Sequence, residues 1–476
     1  MKFIALGVTA LSCCALSPAY GADLTRISPA ALATATSLRE QALKDPTAYA
    51  FVADLTTQIG PRLAGSDNDQ RARDWTIARF KALGFDKVWS EPVTFPRWVR
   101  RSESAQILAP YAQHLAVSAL GGSPATPKGG LSAQVVAFKD LAALNAATAE
   151  SVKGKIVYIS YRMHAERDGH DYGSATAGRT RGPALAAALG ASALVLRSAG
   201  SDSDRLPHTG LTLFEANGAK IPAAALSNPD ADMLDRMLAD GAGVTLQLDL
   251  DCGVEGDYTG ANVIGEVTGS ERPREVIAIG GHLDSWDPGT GAIDDGAGVA
   301  IVAGAAHLIS TLPQKPKRSI RVIAFSNEES GMVGGKAYGV AHQGEVARHF
   351  LGAESDFGAG PVWRLSSQVK PEALGAIDQM MQVLAPLGVG RGSNGHTDGG
   401  DFSGMGSAGM ALLSLTQDGT RYFDWHHTAN DTLDKIDPKE LNQNVAVYAV
   451  FAYLAAQADG DFGSAPGAFA QPKEGK

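Results

Sequence analysis

Cysteine is scarce in this sequence, with three in 476 residues, at positions 13, 14 and 252. Charge is also thin: Asp, Glu, Lys and Arg make up 19% of the chain, against about 25% in an average soluble protein. The balance is acidic, 41 Lys and Arg against 51 Asp and Glu, and no basic block is longer than Arg97 to Arg101. That excludes an electrostatic grip on nucleic acid or on an anionic membrane surface. Long hydrophobic runs are missing too. The longest, Phe3 to Leu16, falls short of the roughly 20 residues that a membrane span needs. Collagen and disorder are excluded because hydrophobic residues reach 44% and the 55 glycines follow no three-residue period. What is left is a large, mildly acidic, glycine-rich soluble protein, long enough for two or three domains of roughly 100–200 residues.

The first residues read as a targeting segment. Met1-Lys2 carries a positive charge, Phe3 to Leu16 is apolar, and Ala19-Tyr20-Gly21-Ala22 offers small residues at a cleavage position. Residues 1–22 are therefore expected to be a signal peptide, and the mature protein to be periplasmic or secreted. Lipid attachment at Leu11-Ser12-Cys13-Cys14 is the alternative. Cleavage would leave Cys252 alone, so the exported fold would rest on a large core or on metal rather than on cross-links.

Along the mature chain, residues 29–46 and 65–84 have helical patterns, the second opening after Ser66-Asp67 and stopping at Gly84. Residues 92–120 suit short strands interrupted by proline. From about 122 to 255 the texture becomes a Gly/Ala-rich alternation of short apolar runs, read as an inserted β-rich domain between a first part, 23–121, and a second part, 256–459. From Ala261 onward strands alternate with helices: Asn262–Val267 and Glu275–Gly280, expected to pair with each other, then helix 296–311, strands Ile320–Ser326 and Phe350–Ala353, helix 371–386, strand Met410–Leu415 and a last helix near 438–457. This alternation predicts a three-layer α/β/α domain around a mixed, largely parallel sheet. Residues 460–476 read as a flexible tail.

Histidine and acidic groups recur where these strands end. His282 and Asp284 follow one strand, Asp294-Asp295 precede a helix, Glu328-Glu329 and Asp356 follow two further strands, and His426-His427 lie in a late loop. Carboxyl ends of strands are where open α/β sheets build their sites. Each group alone has an ordinary explanation as a cap or a helix-terminal charge. Together they gather carboxylates that would repel one another unless cations sit among them, and a pair of divalent metal ions would supply the charge. Cys252 reads as a small buried hydrophobe.

At these residues the chain resembles the co-catalytic two-zinc aminopeptidase family, in particular the branch that contains carboxypeptidase Q and exported bacterial relatives. The resemblance is carried by Gly281-His282-Leu283-Asp284-Ser285-Trp286, Asp294-Asp295-Gly296-Ala297-Gly298, Asn327-Glu328-Glu329-Ser330-Gly331, Glu354-Ser355-Asp356 and His426-His427-Thr428. It runs from about Thr56-Thr57-Gln58-Ile59-Gly60-Pro61-Arg62 to the last helix. It also takes in Pro207-His208-Thr209-Gly210 and Lys220-Ile221-Pro222, which look like that branch's protease-associated domain.

The resemblance implies two zinc ions per chain, with Asp294 bridging them, Glu329 and His427 completing one site, and His282 and Asp356 the other. It implies that Asp284 accepts the second ring N–H of His282, that Glu328 is the general base acting with a metal-bridging hydroxide, and that the Asp294-Asp295 peptide bond is cis. Asp401, Arg421 and Tyr422 are candidates for contact with substrate. The implied activity is hydrolysis of dipeptides or short peptides with a free amino end, by a homodimer. A broader aminopeptidase, an N-acyl amino acid amidohydrolase and a non-catalytic receptor-like relative are the alternatives.

Overall fold

A computed structural model describes residues 24–241, 243–397 and 399–469 of the chain. The expected signal peptide, residues 1–22, lies outside the described residues. Strands and helices alternate from residue 245 onward, and strands assemble into one continuous mixed sheet.

At its centre, strand Arg272–His282 has parallel partners on both sides, Arg318–Phe325 and His349–Glu354. Side chains alternate across it as a pleated strand requires. Ile277 and Ile279 face a core built with helices Pro29–Ala42, Thr47–Gln58, Ala297–Ser310 and Pro438–Gln457. Val276 and Ala278 face a second core with Tyr338, Phe402 and Met405 from the helical segments on the opposite face. A strand apolar on both faces needs cover on both, and the result is the expected α/β/α layering. Helix Ala297–Ser310 is almost entirely apolar for the same reason, His307 and Ser310 excepted, and 94% of its most apolar window, within Ala292–Ser310, is buried inside the protein.

The expected pairing of Asn262–Val267 with Glu275–Gly280 is wrong. Strand Arg318–Phe325 lies between them, antiparallel to one and parallel to the other. The link after Val267 crosses the start of that middle strand, where the Gly269 N–H donates to Ser319 Oγ at 3.0 Å. Glycine is required at this crossing because a Cβ would stand 2.5 Å from the Arg318 carbonyl carbon.

Within residues 92–120 only Gln113–Leu115 and Val117–Ala119 are the expected short strands. Lys87–Ala109 is one 23-residue strand, paired with the equally long Thr245–Val267. Pro92 and Pro96 sit within it because, up to Ser104, it pairs on one side only, so a missing N–H breaks no ladder. The inner halves of these two strands belong to the sheet that carries His282. Their outer halves continue the sheet through Leu131–Phe138, Ile156–Ile159, Ala193–Arg197 and Ala223–Leu226. Helices Tyr172–Ala188 and Asn228–Ala239 accompany these outer strands, so this region is mixed α/β rather than β-rich. The first part of the expected tail also departs from expectation, while residues 470–476 lie outside the described residues. Phe462 is fully buried, and Ser464 Oγ accepts the Ala411 N–H at 2.8 Å, so residues 460–469 pack on the domain.

Candidate metal centre

The central strands end on one edge of the sheet, and the loops there carry the acidic and histidine groups. His282 is the last residue of its strand, Glu328-Glu329 follow Phe325 by three residues, and Asp356 follows Glu354 by two. A tight turn at Ala292–Gly296 brings Asp294 beneath them, and the short helix Tyr422–Trp425 ends at His426-His427.

Asp294 lies at the middle of the cluster. Its Oδ1 is 3.1 Å from His282 Nε2, and its Oδ2 is 3.1 Å from His427 Nε2. Asp356 Oδ1 is 3.4 Å from the same His282 nitrogen, and Glu329 Oε2 is 3.0 Å from the same His427 nitrogen. His426 Nε2 also approaches Asp294, at 3.2 Å, with its ring stacked on that of His427 at 3.5 Å.

Burial alone would raise the Asp294 carboxyl, but His426, His282 and His427 hold it well below the usual carboxylate range. Burial, reinforced by Asp294, pushes Glu329 up to about 7. Asp294 Oδ2 and Glu329 Oε1 are buried with no hydrogen-bond donor from the described residues. Oxygen and imidazole nitrogen atoms of His282, Asp294 and Glu329, and of Asp294, His426 and His427, converge closely enough to hold an ion. Paired imidazoles, a shared carboxylate and undonated buried oxygens are what a two-zinc site requires, so the residues fit the metal.

The adjacent Asp295 differs in kind. Its carboxylate accepts the backbone N–H groups of His282 and Gly298, each at 3.0 Å, and so braces the site. Gly298 is needed there, since a Cβ would lie 2.0 Å from the Ser355 carbonyl. The Asp294-Asp295 peptide bond is cis.

The surrounding loop is held from two sides. Arg62, fully buried, donates to the backbone carbonyls of Leu283 at 2.7 Å, Gly60 at 3.1 Å, Thr290 at 2.7 Å and Gly291 at 2.9 Å. Asp431 Oδ1 accepts the N–H groups of Ala292 and Ile293, both at 2.7 Å. Arg62 lies in a motif legible in the sequence, whereas nothing in the sequence marks Asp431.

Two expected contacts fail. The second nitrogen of His282 meets the backbone carbonyl of Asp284, at 3.0 Å, and stands 3.9 Å from its carboxylate. That carboxylate is committed elsewhere, accepting the N–H groups of Glu328 at 3.0 Å and Glu329 at 3.4 Å. Asp401 does not reach substrate space: it is 1% exposed, and its Oδ1 accepts the Gly335 N–H at 3.0 Å. The chain bends there to seat Asp401 against Glu354, whose Oε2 accepts the Asp401 N–H at 2.6 Å.

A cavity of about 330 Å³ opens onto the cluster, lined by Glu328, Tyr422 and His426 and, from the outer sheet region, by Tyr172 and Arg179. Glu328 is half-buried in its wall. Burial, with Asp356, Glu329 and Asp401 nearby, pushes the Glu328 carboxyl well above its ordinary range. Arg179 is the functional candidate that sequence reasoning missed. It is 7% exposed, donates to the Thr209 carbonyl at 3.2 Å and to Tyr172 Oη at 3.0 Å, and has no acidic partner within salt-bridge distance among the described residues. Its Nε is buried without an acceptor. Arg421 lies outside this cavity, over the Trp425 ring at 4.5 Å, in a neighbouring cleft of about 980 Å³ that also reaches Tyr422 and Phe357.

Residues 262–452, which contain every residue of the cluster, match the model of peptidase family M28. The chain is 35% identical to carboxypeptidase Q of Homo sapiens over 413 residues, covering 86% of this chain and 85% of that one. The crystal structure of a peptidase M28 precursor from Shewanella amazonensis SB2B superposes with a TM-score of 0.89 at 48% identity, covering 91% of this chain and 98% of that one. The aminopeptidase from Aneurinibacillus sp. strain AM-1 shares the fold, with a TM-score of 0.60 at 22% identity, over 90% of this chain and 98% of that one. With this identity over nearly its whole length, and with a metal-binding cluster on the same sheet edge, the chain belongs to peptidase family M28 and is a metallopeptidase.

Proposed function

We propose that this metallopeptidase is an exported zinc exopeptidase whose preferred substrates are dipeptides. The residues that would hold two zinc ions are Asp294 between them, His282 and Asp356 on one side, and Glu329 and His427 on the other. When bound, zinc polarises a carbonyl and makes water a nucleophile at neutral pH.

Glu328 then handles the proton. Its carboxylate makes no side-chain hydrogen bond to the described residues and faces the cavity, so it can accept a proton from the attacking water and pass it to the leaving amine. The Asp284 carboxylate holds the backbone of Glu328 and Glu329 and so aims both side chains.

The observation that carries the dipeptide reading is Arg179. A buried guanidinium without a counter-ion is costly unless an anion arrives to pair with it, and a peptide's terminal carboxylate is such an anion. The cavity's roughly 330 Å³ lies near the small end of the ~300–1,000 Å³ usual for ligand pockets. A small cavity lined by both Glu328 and Arg179 suits a substrate that is short beyond the cut, with its scissile bond at Glu328 and its carboxylate at Arg179. Zinc analysis coupled to hydrolysis of a dipeptide, its C-terminal amide and a tetrapeptide tests this. Two zinc per chain, chelator-sensitive activity and a preference of tenfold or more for the free dipeptide are expected. Equal rates on dipeptide and amide would defeat it.

The larger neighbouring cleft, which shares Phe357 and Tyr422 with the cavity and carries Arg421, favours a second reading as a broader aminopeptidase. Longer peptides would then run out along it, and the same panel would show the tetrapeptide cleaved fastest. Activity confined to acylated amino acids would mark an amidohydrolase instead.

Export rests on the composition of residues 1–22 and is supported by the Shewanella relative, which is described as a precursor. We take residues 122–255 as a unit inserted in the peptidase domain, and the homodimer implied by the resemblance as the working assembly. Sedimentation of the mature protein tests the latter.

A further inference from the structure

The loop at residues 198–210 comes from the outer part of the sheet, yet it is stitched to the segment that carries His426 and His427. The Ser201 N–H donates to the Phe423 carbonyl at 3.1 Å, and Ser201 Oγ donates to Asp424 Oδ1 at 2.9 Å. The Thr209 N–H donates to the His427 carbonyl at 3.1 Å, and His427 Nδ1 meets the Thr209 carbonyl at 3.1 Å in return.

His208 lies at the centre of this seam and is 1% exposed. Its Nδ1 meets the His426 carbonyl at 2.6 Å, and its Nε2 meets Asp202 Oδ2 at 2.5 Å. The ring lies against Gly200 so closely that a Cβ there would stand 2.2 Å from it. Asp202 is fixed in turn, its carbonyl accepting from Asn228 Nδ2 at 3.1 Å.

This matters because His427 has a left-handed backbone, with φ of 62°. A non-glycine residue stays in that region only when its surroundings hold it. Here the carbonyls on both sides of the turn are held from the distant loop: that of His426 by His208, and that of His427 by Thr209. A ligating imidazole is also oriented by whatever its other nitrogen bonds to, and for His427 this is again the loop, through Thr209.

We propose that His208, braced by Asp202, is a positioning residue for the metal subsite of Glu329 and His427, so that the outer sheet region sets zinc affinity at that subsite. The proposal rests on the reading of His427 as a zinc ligand.

The test is zinc content after dialysis and chelator-competition affinity for each zinc equivalent, together with the melting temperature of the metal-free protein. His208→Asn keeps an N–H donor near the Nδ1 position, so it is expected to bind the second zinc within about threefold of the parent. His208→Leu loses the donor while filling more of the space, and is expected to bind it about 10–100-fold more weakly. A role in packing alone would rank the two the other way, because Asn leaves the larger void.

Parental affinity in His208→Leu, or weaker zinc binding in His208→Asn than in His208→Leu, would overturn the proposal. If His208→Leu fails to fold, Asp202→Ala releases the ring without emptying its site. About tenfold weaker binding of the second zinc is expected there, and no change overturns the proposal. His427→Ala separates the two levels: if it retains both zinc ions, the ligand reading falls and the proposal with it. If it loses one while His208→Leu loses none, only the positioning role falls.

Discussion

Asp284 and Glu328 are joined through backbone: Asp284 Oδ1 accepts the Glu328 N–H at 3.0 Å, while its Oδ2 accepts the Glu329 N–H at 3.4 Å. One carboxylate thus fixes the main chain under both the proposed base and a proposed ligand, and breaking it should disturb both at once. Asp284→Ala is expected to lower kcat by about 10–100-fold and to weaken zinc binding by a similar factor. Kinetics alongside metal analysis checks this, and normal zinc affinity with normal kcat would show that the brace is dispensable.

Glu328→Gln separates proton transfer from metal binding. The amide keeps the shape of the side chain but cannot take a proton, so kcat should fall by roughly 10²–10⁴-fold with KM little changed. Zinc content should stay at the parental value. A variant that kept its kcat would remove Glu328 from the reaction.

Arg62 should be the most sensitive position outside the cluster. Its guanidinium satisfies carbonyls at Leu283, Gly60, Thr290 and Gly291, and Arg62→Ala would leave them buried and unpaired. A loss of about 3–5 kcal/mol is expected, measurable by urea unfolding. Arg62→Lys should recover less than half of it, because a single ammonium cannot span so wide a fork.

Acid stability should depend on His349. The ring is fully buried, with Nε2 at 2.8 Å from Tyr338 Oη and Nδ1 at 3.1 Å from the Glu345 carbonyl, and burial lowers its pKa from 6.5 to about 4. Between those values the unfolded chain binds the proton and the folded chain does not. The contribution is therefore complete above pH 6.5 and declines as pH falls toward 4, by about 1.4 kcal/mol per pH unit. The difference between the unfolding free energies at pH 7 and pH 5 should shrink by about 2 kcal/mol in His349→Gln. An unchanged pH slope would mean that another group dominates.

The metal cluster was legible because its chemistry is written locally. His282, Asp294, Glu329 and Asp356 each sit in a short motif at the end of a predicted strand or the start of a predicted helix, and parallel strands bring such ends to one edge, whereas His427 lies in a late loop and was legible only through the family resemblance. Arg179 was not legible, since it lies in a Gly/Ala-rich helix whose pattern carries no sign of which cavity it faces. Strand order was not legible either. The short link between Val267 and Arg272 suits a hairpin, and only the buried demand of Arg272–His282 for parallel neighbours puts another strand in the gap. Asp284 was assigned to the right neighbourhood but to the wrong partner, because a carboxylate two residues from a histidine can turn toward the ring or toward backbone donors, and spacing does not distinguish them.

The paired strands Lys87–Ala109 and Thr245–Val267 run without a break from the sheet that carries His282 into the sheet behind Arg179. Among the described residues the two regions share this two-stranded beam, which works against a hinge between the sheet that carries His282 and the outer strands. For anyone trimming the protein, cutting at 122 and 255 would remove residues 245–255 and strip the outer half of Lys87–Ala109 of its long partner, leaving an open edge prone to aggregation. A clean excision would instead have to cut across the beam near Pro96 and Asp257, where the ladder already shifts register.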